Sequence, residues 1–140
     1  MKKIKIIETR AAGADHQVVT FESNTEGGRC YRRKPCKKCP WRKDSVGEFP
    51  AEAFRHSART AYDMATSVFS CHSTGTEKPS TCAGFLMRGA EHNLSIRLSY
   101  FRREIGEDLN ENGLDLFESY REMAVANGVD PDDPILKPCR

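Results

Sequence analysis

The 140-residue sequence contains no apolar run close to the roughly 20 residues that a membrane-spanning helix needs. Its first eight residues include basic side chains, but the long apolar stretch of an export signal does not follow them. Only 38% of the residues are hydrophobic, and the mean hydropathy of −0.64 is polar for a globular protein. We therefore expect a cytoplasmic protein without a membrane segment, folded as one domain over residues 1–140 with a modest core.

Several signatures of enzymes are also missing. The chain has no phosphate-binding loop, no HExxH motif of zinc proteases and no GxSxG nucleophile turn. A cysteine enzyme that uses Cys30, or Cys71 beside His72, is a distant alternative, because a nucleophile and its base must meet in space rather than in sequence. The sequence therefore favours a non-enzymatic protein.

Cysteine, in contrast, is well represented. Without an export signal, the six cysteines are expected to be thiols or metal ligands rather than disulfides. Cys36 and Cys39 are separated by two residues, which lets two thiolates of one tight turn bind the same ion, and Cys71 and Cys82 can complete a tetrahedral set. The pattern predicts a structural zinc ion, with a [4Fe-4S] cluster as the alternative because it also takes four thiolates. Such a site would stabilise a small core directly.

Three more residues near this pattern could bind or support a metal. His72 follows Cys71, and neighbours on an extended segment point in opposite directions, so we expect His72 to support the ligands rather than bind the metal. Cys30 is the candidate substitute ligand. Cys139 lies beside the C-terminus, where we expect a free thiol in a flexible tail over residues 130–140.

Charge is distributed unevenly, although the net charge is only +2. Residues 29–43 contain eight basic side chains and no acid, whereas residues 104–133 contain ten acids. A basic loop ordered by a metal predicts a surface for nucleic acid or another protein. The competing interpretation is that the basic residues pair with the acidic segment or are simply solvated. The candidate partner contacts are Lys37, Lys38, Trp41, Arg42 and Lys43.

Trp41 has two candidate roles of its own. It could stack on a nucleic-acid base, but a single Trp beside a metal turn more often packs over that turn as a hydrophobic lid.

The elements predict an α+β fold with an N-terminal β-hairpin, a metal-stapled cysteine loop and about three helices. Residues 2–8 and 16–22 have the alternation and β-branched content of strands, and a turn is expected between them. Pro50 is favoured at the first position of a helix, and a second helix is expected to begin at Cys82. A final helix is expected between Leu114 and Asn127.

Beyond Gly89, Leu94, Leu98, Phe101 and Ile105 follow helical spacing, which predicts that the second helix continues through them.

Four short strings resemble, in order and spacing, a family of small uncharacterised proteins from phages and bacteria, a domain of unknown function. They are Cys-Lys-Lys-Cys-Pro-Trp-Arg at 36–42, Phe-Pro at 49–50, Phe-Ser-Cys-His at 69–72 and Cys-Ala-Gly-Phe-Leu at 82–86. The resemblance spans roughly residues 30–100 and implies metal binding through the four cysteines, a phage or prophage origin and no established activity. The cysteine layout is also loosely similar to that of WhiB-like iron–sulfur regulators. The Gly-Val-Trp-Gly-Gly turn of that second family is absent, so its function is not carried over.

These observations predict a small phage- or prophage-type protein with structural zinc that binds nucleic acid or a host protein without catalysis. An iron–sulfur protein with a redox-sensing or DNA-processing role is the alternative.

Overall fold

The computed structural model describes residues 3–11, 17–24, 30–71 and 80–139. Four α-helices lie in the described chain: α1 (Ala51–Ser57), α2 (Ala83–Arg88), α3 (Leu94–Phe101) and α4 (Tyr120–Ala126). Short 3₁₀ turns occur at Lys43–Ser45, Ala58–Ala61 and Pro134–Leu136. Within these ranges, no helix is long and apolar enough to cross a membrane.

Two strands precede the helices, β1 (Lys3–Ala11) and β2 (Gln17–Asn24). They pair antiparallel, with an irregular step in the register between Ile6 and Glu8. Residues 12–16, which connect the strands, lie outside the described residues. A complete hairpin with its turn is therefore not part of the described structure.

The predicted fold class, α+β with an N-terminal β-hairpin and about three helices, is wrong. From Cys30 onward the described chain contains four helices and isolated bridges but no strand, and every described core residue comes from this part. An α+β core needs a sheet whose face is covered by helices. The core of this protein is instead built from short helices and irregular segments that pack on one another.

The helices are shorter than the sequence pattern predicts because polar side chains begin new ones. Asn93 is completely buried, and its Oδ1 accepts a hydrogen bond of 3.1 Å from the N–H of Ile96, which starts α3 as a separate helix after α2. Its Nδ2 donates to the carbonyls of Thr60 and Ser67, at 3.0 and 2.7 Å. Ser119 caps α4 in the same way by accepting from the N–H of Glu122.

The second helix does not continue through Leu94, Leu98, Phe101 and Ile105, because α2 ends at Arg88 and a separate helix, α3, contains the first three of them. In α3 the buried side chains are Ile96 and Ser99, whereas Leu98 is 40% and Phe101 86% exposed. The helix ends at Phe101, so Ile105, which is buried, does not share a helical face with the others. Since Asn93 sets where the helix begins and packs beneath it, the cap rather than the apolar spacing decides which face points inward.

Trp41 lies at the centre of the core and is completely buried. Its ring centroid is 5.8 Å from that of Tyr120, 6.0 Å from that of Phe69 and 6.4 Å from that of Phe85. The contacts with Tyr120 and Phe69 are edge-to-face, an arrangement that the ring quadrupoles favour. Three segments that are distant in the chain therefore meet on one side chain.

Residues 130–139 pack against the body instead of forming a loose tail. Leu136 is completely buried, and its carbonyl accepts a hydrogen bond of 2.6 Å from Arg121. The carbonyl of Ile135 accepts one of 2.6 Å from the hydroxyl of Tyr62. Asp133 forms an ion pair of 2.8 Å with Arg55 of α1.

Replacing Gly84 with Ala is expected to destabilise the protein by about 1–3 kcal/mol, because overpacking a filled core has that cost. A Cβ atom on Gly84 would lie 2.5 Å from the Cβ of Trp41, which cannot move within the core. The same change inside a helix normally stabilises by about 0.5–1 kcal/mol, so the predicted sign is reversed. Urea unfolding measures the effect.

Gly106→Ala is the matched control, because a Cβ there would meet its nearest neighbours at an ordinary 3.5 Å. Equal stabilities of the Gly84→Ala and Gly106→Ala variants would contradict the packing described for Trp41.

Candidate metal centre

Cys36 and Cys39 lie on one tight turn, which we call the cysteine turn (residues 36–42). The N–H of Cys39 donates to the carbonyl of Cys36 at 3.2 Å, and the N–H of Arg42 donates to the carbonyl of Cys39 at 3.0 Å. The guanidinium of Arg42 also donates to the carbonyls of Cys36 and Lys37, at 3.3 and 2.9 Å. It forms a two-pronged ion pair with Asp44, and that hydrogen bonding lowers the pKa of the Asp44 carboxyl. Arg42 therefore fixes the turn from within its own loop.

The other two cysteines are delivered by paired backbone segments. The N–H of Cys82 donates to the carbonyl of Phe69 at 3.0 Å, and the N–H of Cys71 donates to the carbonyl of Ser80 at 2.7 Å. Residues 30–32 also pair with this segment. The carbonyl of Thr81 accepts a hydrogen bond of 2.9 Å from the N–H of Arg32, and the N–H of Thr81 donates one of 3.0 Å to the carbonyl of Cys30. The loop between the two cysteines, residues 72–79, lies outside the described residues. This pairing sets Cys71 opposite Ser80 and Cys82 opposite Phe69, and Cys82 is the residue directly before α2.

The four thiols are buried in the same core cluster, each at most 4% exposed. The Sγ atoms of Cys39 and Cys82 lie 3.6 Å apart. Hydrogen bonding with Cys36, hydrogen bonding with Cys82 and burial, in that order, raise the pKa of the Cys39 thiol, against a weaker opposing effect of the Trp41 backbone N–H. Cys39 thus contacts one cysteine of its own turn and one of the second segment. In the described part of the chain, no group of three or more His, Cys, Asp or Glu side chains lies close enough together to hold a metal ion.

The sulfur–sulfur distance fits the donor chemistry of a single zinc ion. In a tetrahedral site with zinc–sulfur bonds of about 2.3 Å, neighbouring sulfurs lie about 3.8 Å apart, close to the distance between Cys39 and Cys82. In a [4Fe-4S] cluster each thiolate binds a different iron, which sets the sulfurs farther apart.

The remaining candidate ligands are His72, Cys30 and Cys139. His72 lies outside the described residues. Cys30 is exposed, and its carbonyl accepts from the N–H of Thr81. Cys139 is half-buried, with its sulfur 3.7 Å from the carbonyl of Ala58, and burial raises the pKa of its thiol to about 11.

Four basic side chains of the loop, Arg33, Lys38, Arg42 and Lys43, lie against acids of the same molecule. Lys43 lies 3.6 Å from Asp115 and 3.8 Å from Glu122, both in the acidic segment. Lys38 lies 3.8 Å from Glu48. Arg33 pairs with Asp108 in the same way, at 2.7 Å. These contacts favour the interpretation of internal charge pairing over a free basic surface.

Two of the predicted partner contacts have structural surroundings instead. Trp41 is completely buried, and its ring packs against Phe69, Phe85 and Tyr120 rather than presenting a face to a partner. Arg42 is occupied by Asp44 and two carbonyls. Lys37 is exposed and forms no ion pair with an acid among the residues that the structure describes.

Sequence reasoning missed what supports the cysteine turn. The sequence analysis predicts Arg42 as a partner contact, although Asp44, an acid two residues later, is a local signal that these two side chains pair. Gly84 and Gly89 lie against the Trp41 ring, and their missing side chains make room for it. Their positions in the chain contain no sign of this contact, since it depends on α2 crossing the turn.

Arg42→Ala is expected to lower the free energy of unfolding by about 1–2 kcal/mol, because two carbonyls of the cysteine turn lose a charged donor. Lys37→Ala is the matched control on the same loop, and the exposed Lys37 should matter by no more than about 0.5 kcal/mol. Chemical denaturation of both variants measures the difference. An Arg42→Ala protein as stable as the Lys37→Ala protein would show that the turn does not depend on this guanidinium.

Comparison with known proteins identifies a family but no activity. Neither a curated protein nor a solved structure matches the chain. A family described as being of unknown function, DUF6283, matches residues 31–140, a range that includes all four cysteines of the candidate centre and all four helices. Since the match covers most of the sequence, the chain belongs to this family of unknown function, DUF6283.

Proposed function

We propose that the protein is a small zinc-binding module of phage or prophage type in which Cys36, Cys39, Cys71 and Cys82 hold one zinc ion. The observation that carries this proposal is the 3.6 Å separation of the Cys39 and Cys82 sulfurs, which belong to residues 43 positions apart in the chain. Two thiols brought that close in a buried core lie at about the spacing of two corners of a zinc tetrahedron.

The zinc ion would have a structural role. Its ligands come from the cysteine turn and from the paired segments around Thr81, so the ion would connect two halves of the core that otherwise meet mainly around Trp41. Binding free energy in such a site contributes directly to folding. The short sulfur–sulfur distance also supports a single ion over the iron–sulfur alternative.

The role that we propose is binding rather than catalysis. Four protein ligands leave no open coordination position for substrate or water, which catalytic zinc sites keep. A set of unoxidised thiols of this kind suits the reducing cytoplasm, and we place the protein there, in the bacterial host cell if it is encoded by a phage.

The partner that we propose is nucleic acid or a host protein. The basic loop contributes less to this choice than its composition indicates, because Lys38, Arg42 and Lys43 already lie against Glu48, Asp44 and Asp115. A binding surface is therefore better sought where cations are exposed without acids beside them.

Metal analysis of the purified protein tests the zinc proposal. We expect about one zinc and no iron per chain, and a colourless solution. Cys39→Ser and Cys82→Ser should each lose most of the zinc together with cooperative thermal unfolding, because a site with three thiolates is open and weaker. Cys139→Ser is the control, and it should retain both.

The ligand assignment is wrong if Cys82→Ser keeps its zinc while Cys30→Ser loses it. Iron in place of zinc, with a brown colour, would favour the cluster instead.

The fluorescence of Trp41 provides an independent measurement. Trp41 is the single Trp of the chain and lies two residues after Cys39, so tryptophan emission reports on the core directly beside the cysteine turn. Removing zinc with a chelator should shift the emission to longer wavelength, because a loosened turn exposes the ring to water. Unchanged emission after complete zinc removal would show that Trp41 stays packed without the ion.

A further inference from the structure

The outer side of α3 and the turn after it combine exposed arginine and aromatic side chains. We call this region the arginine–aromatic surface; it comprises Arg97, Tyr100, Phe101, Arg102 and Arg103. We propose that it binds single-stranded nucleic acid, with the arginines on phosphates and Phe101 stacked on a base. The inference rests on the binding role proposed above and names its partner and its surface.

Helical geometry places the aromatic and basic groups side by side. Arg97 and Phe101 are four residues apart in α3 and therefore neighbours on one face. Phe101 is 86% exposed and Tyr100 42%, while Ile96 and Ser99 fill the buried side. A Phe ring this exposed is not needed for the core, and a ring flanked by cations is the arrangement that proteins use to stack bases of a single strand.

The charges of this surface are not cancelled as those of the cysteine loop are. Three arginines of this surface, Arg97, Arg102 and Arg103, are exposed. None of them forms an ion pair with an acid in the part of the chain that the structure describes. Lys43, in contrast, lies between Asp115 and Glu122. An uncompensated cluster of guanidinium groups attracts a polyanion and can fork onto phosphate oxygens.

Arg103 occupies a backbone conformation that would suit glycine better. Its φ is 58°, in the left-handed region, and its N–H donates to the carbonyl of Tyr100 at 3.0 Å to close the end of α3. Glycine is the common residue at such a position, because a Cβ atom carries a steric cost there. The chain therefore has a cation at a position where the backbone alone favours glycine.

A cleft beside the surface has room for a flat ring. It lies between α2 and α3, has a volume of about 280 Å³, and is lined by apolar atoms of Leu86, Ala90 and Ile96. Arg88, Glu91, Arg97 and Tyr100 also line it, and Arg88 is paired with Glu111 and Glu118. The cleft is therefore mixed in character, and Arg97 and Tyr100 form the side where a base can enter while its phosphate stays outside.

These features favour an unpaired strand over a duplex or a protein. Stacking requires bases that are free of a complementary strand, and sequence-tolerant binding by stacking and phosphate contact is typical of single-strand binders. A protein partner of Phe101 would be expected to use a mainly apolar patch, whereas three arginines surround this ring.

Fluorescence anisotropy with a fluorescein-labelled 12-nucleotide oligothymidine tests the proposal on the full-length, zinc-loaded protein. Phe101→Ala should weaken binding about tenfold, because stacking on one aromatic ring contributes on that order. Phe101→Leu should weaken binding equally, and Phe101→Trp should retain it, since only a flat ring stacks. Binding that Phe101→Leu leaves intact would overturn the stacking role.

Arg103→Gly separates charge from folding. The backbone at this position favours glycine, so the variant should unfold at the same or a higher denaturant concentration than the natural protein. Its affinity for the oligonucleotide should nevertheless fall several-fold, and the slope of log K against log salt should become shallower by about 0.7. The control is Lys137→Gln, which removes an exposed cation on the C-terminal segment and should leave both affinity and slope unchanged.

The outcomes distinguish this inference from the zinc proposal. Zinc-loaded protein that does not bind the oligonucleotide at low salt overturns the inference and leaves the zinc site in place. Protein that binds in the predicted manner but contains no zinc overturns the metal proposal alone. Equal affinity for a 12-base-pair duplex, or loss of affinity on Lys137→Gln as large as on Arg103→Gly, would also overturn the single-strand surface.

Discussion

The contact between the thiols of Cys39 and Cys82 joins two distant parts of the chain that also meet through the Trp41 ring and the backbone of Thr81. On one side is the cysteine turn, ordered by Arg42; on the other is α2, positioned by the backbone pairing of residues 69–71 with 80–82. Trp41 lies between them, and its ring packs against the rings of Phe69, Phe85 and Tyr120. With short helices and a polar composition, such a fold depends on a few contacts between distant residues, and a metal at this point would add the largest of them.

A closed site has a consequence for where function can lie. If the four cysteines hold the proposed zinc ion, no coordination position is left for a substrate, and any activity would come from the surface. The surface charges then have to be considered in pairs rather than as totals. Eight basic residues in one short segment indicate a strong positive patch, yet Lys43 and Arg33 lie against acids from the far end of the chain. Arg97, Arg102 and Arg103, which pair with no acid among the described residues, are fewer but more available.

Helix α3 shows that helical spacing of apolar residues does not decide which residues face the core. Leu94, Leu98 and Phe101 follow that spacing, and a stripe of this kind usually faces the core. The buried cap Asn93, with hydrogen bonds to Thr60 and Ser67, instead anchors the helix so that Ile96 and Ser99 point inward. Phe101 is left in solvent next to arginines, where an apolar ring has no structural use. Periodicity identifies a helix, but the interactions at its end decide its rotation.

The sequence by itself determined the features that depend on near neighbours. The two-residue spacing of Cys36 and Cys39 predicts that both thiols come from a single bend, and Pro50 marks the start of α1 through local backbone chemistry. Only the tertiary structure decided the rest: that no strand joins the described core, that Trp41 is buried between α2 and the cysteine turn, and that the basic loop is paired with acids. Those outcomes depend on contacts between residues tens of positions apart. Such contacts are selected by the packing of the whole core, and no local pattern of residue types encodes them.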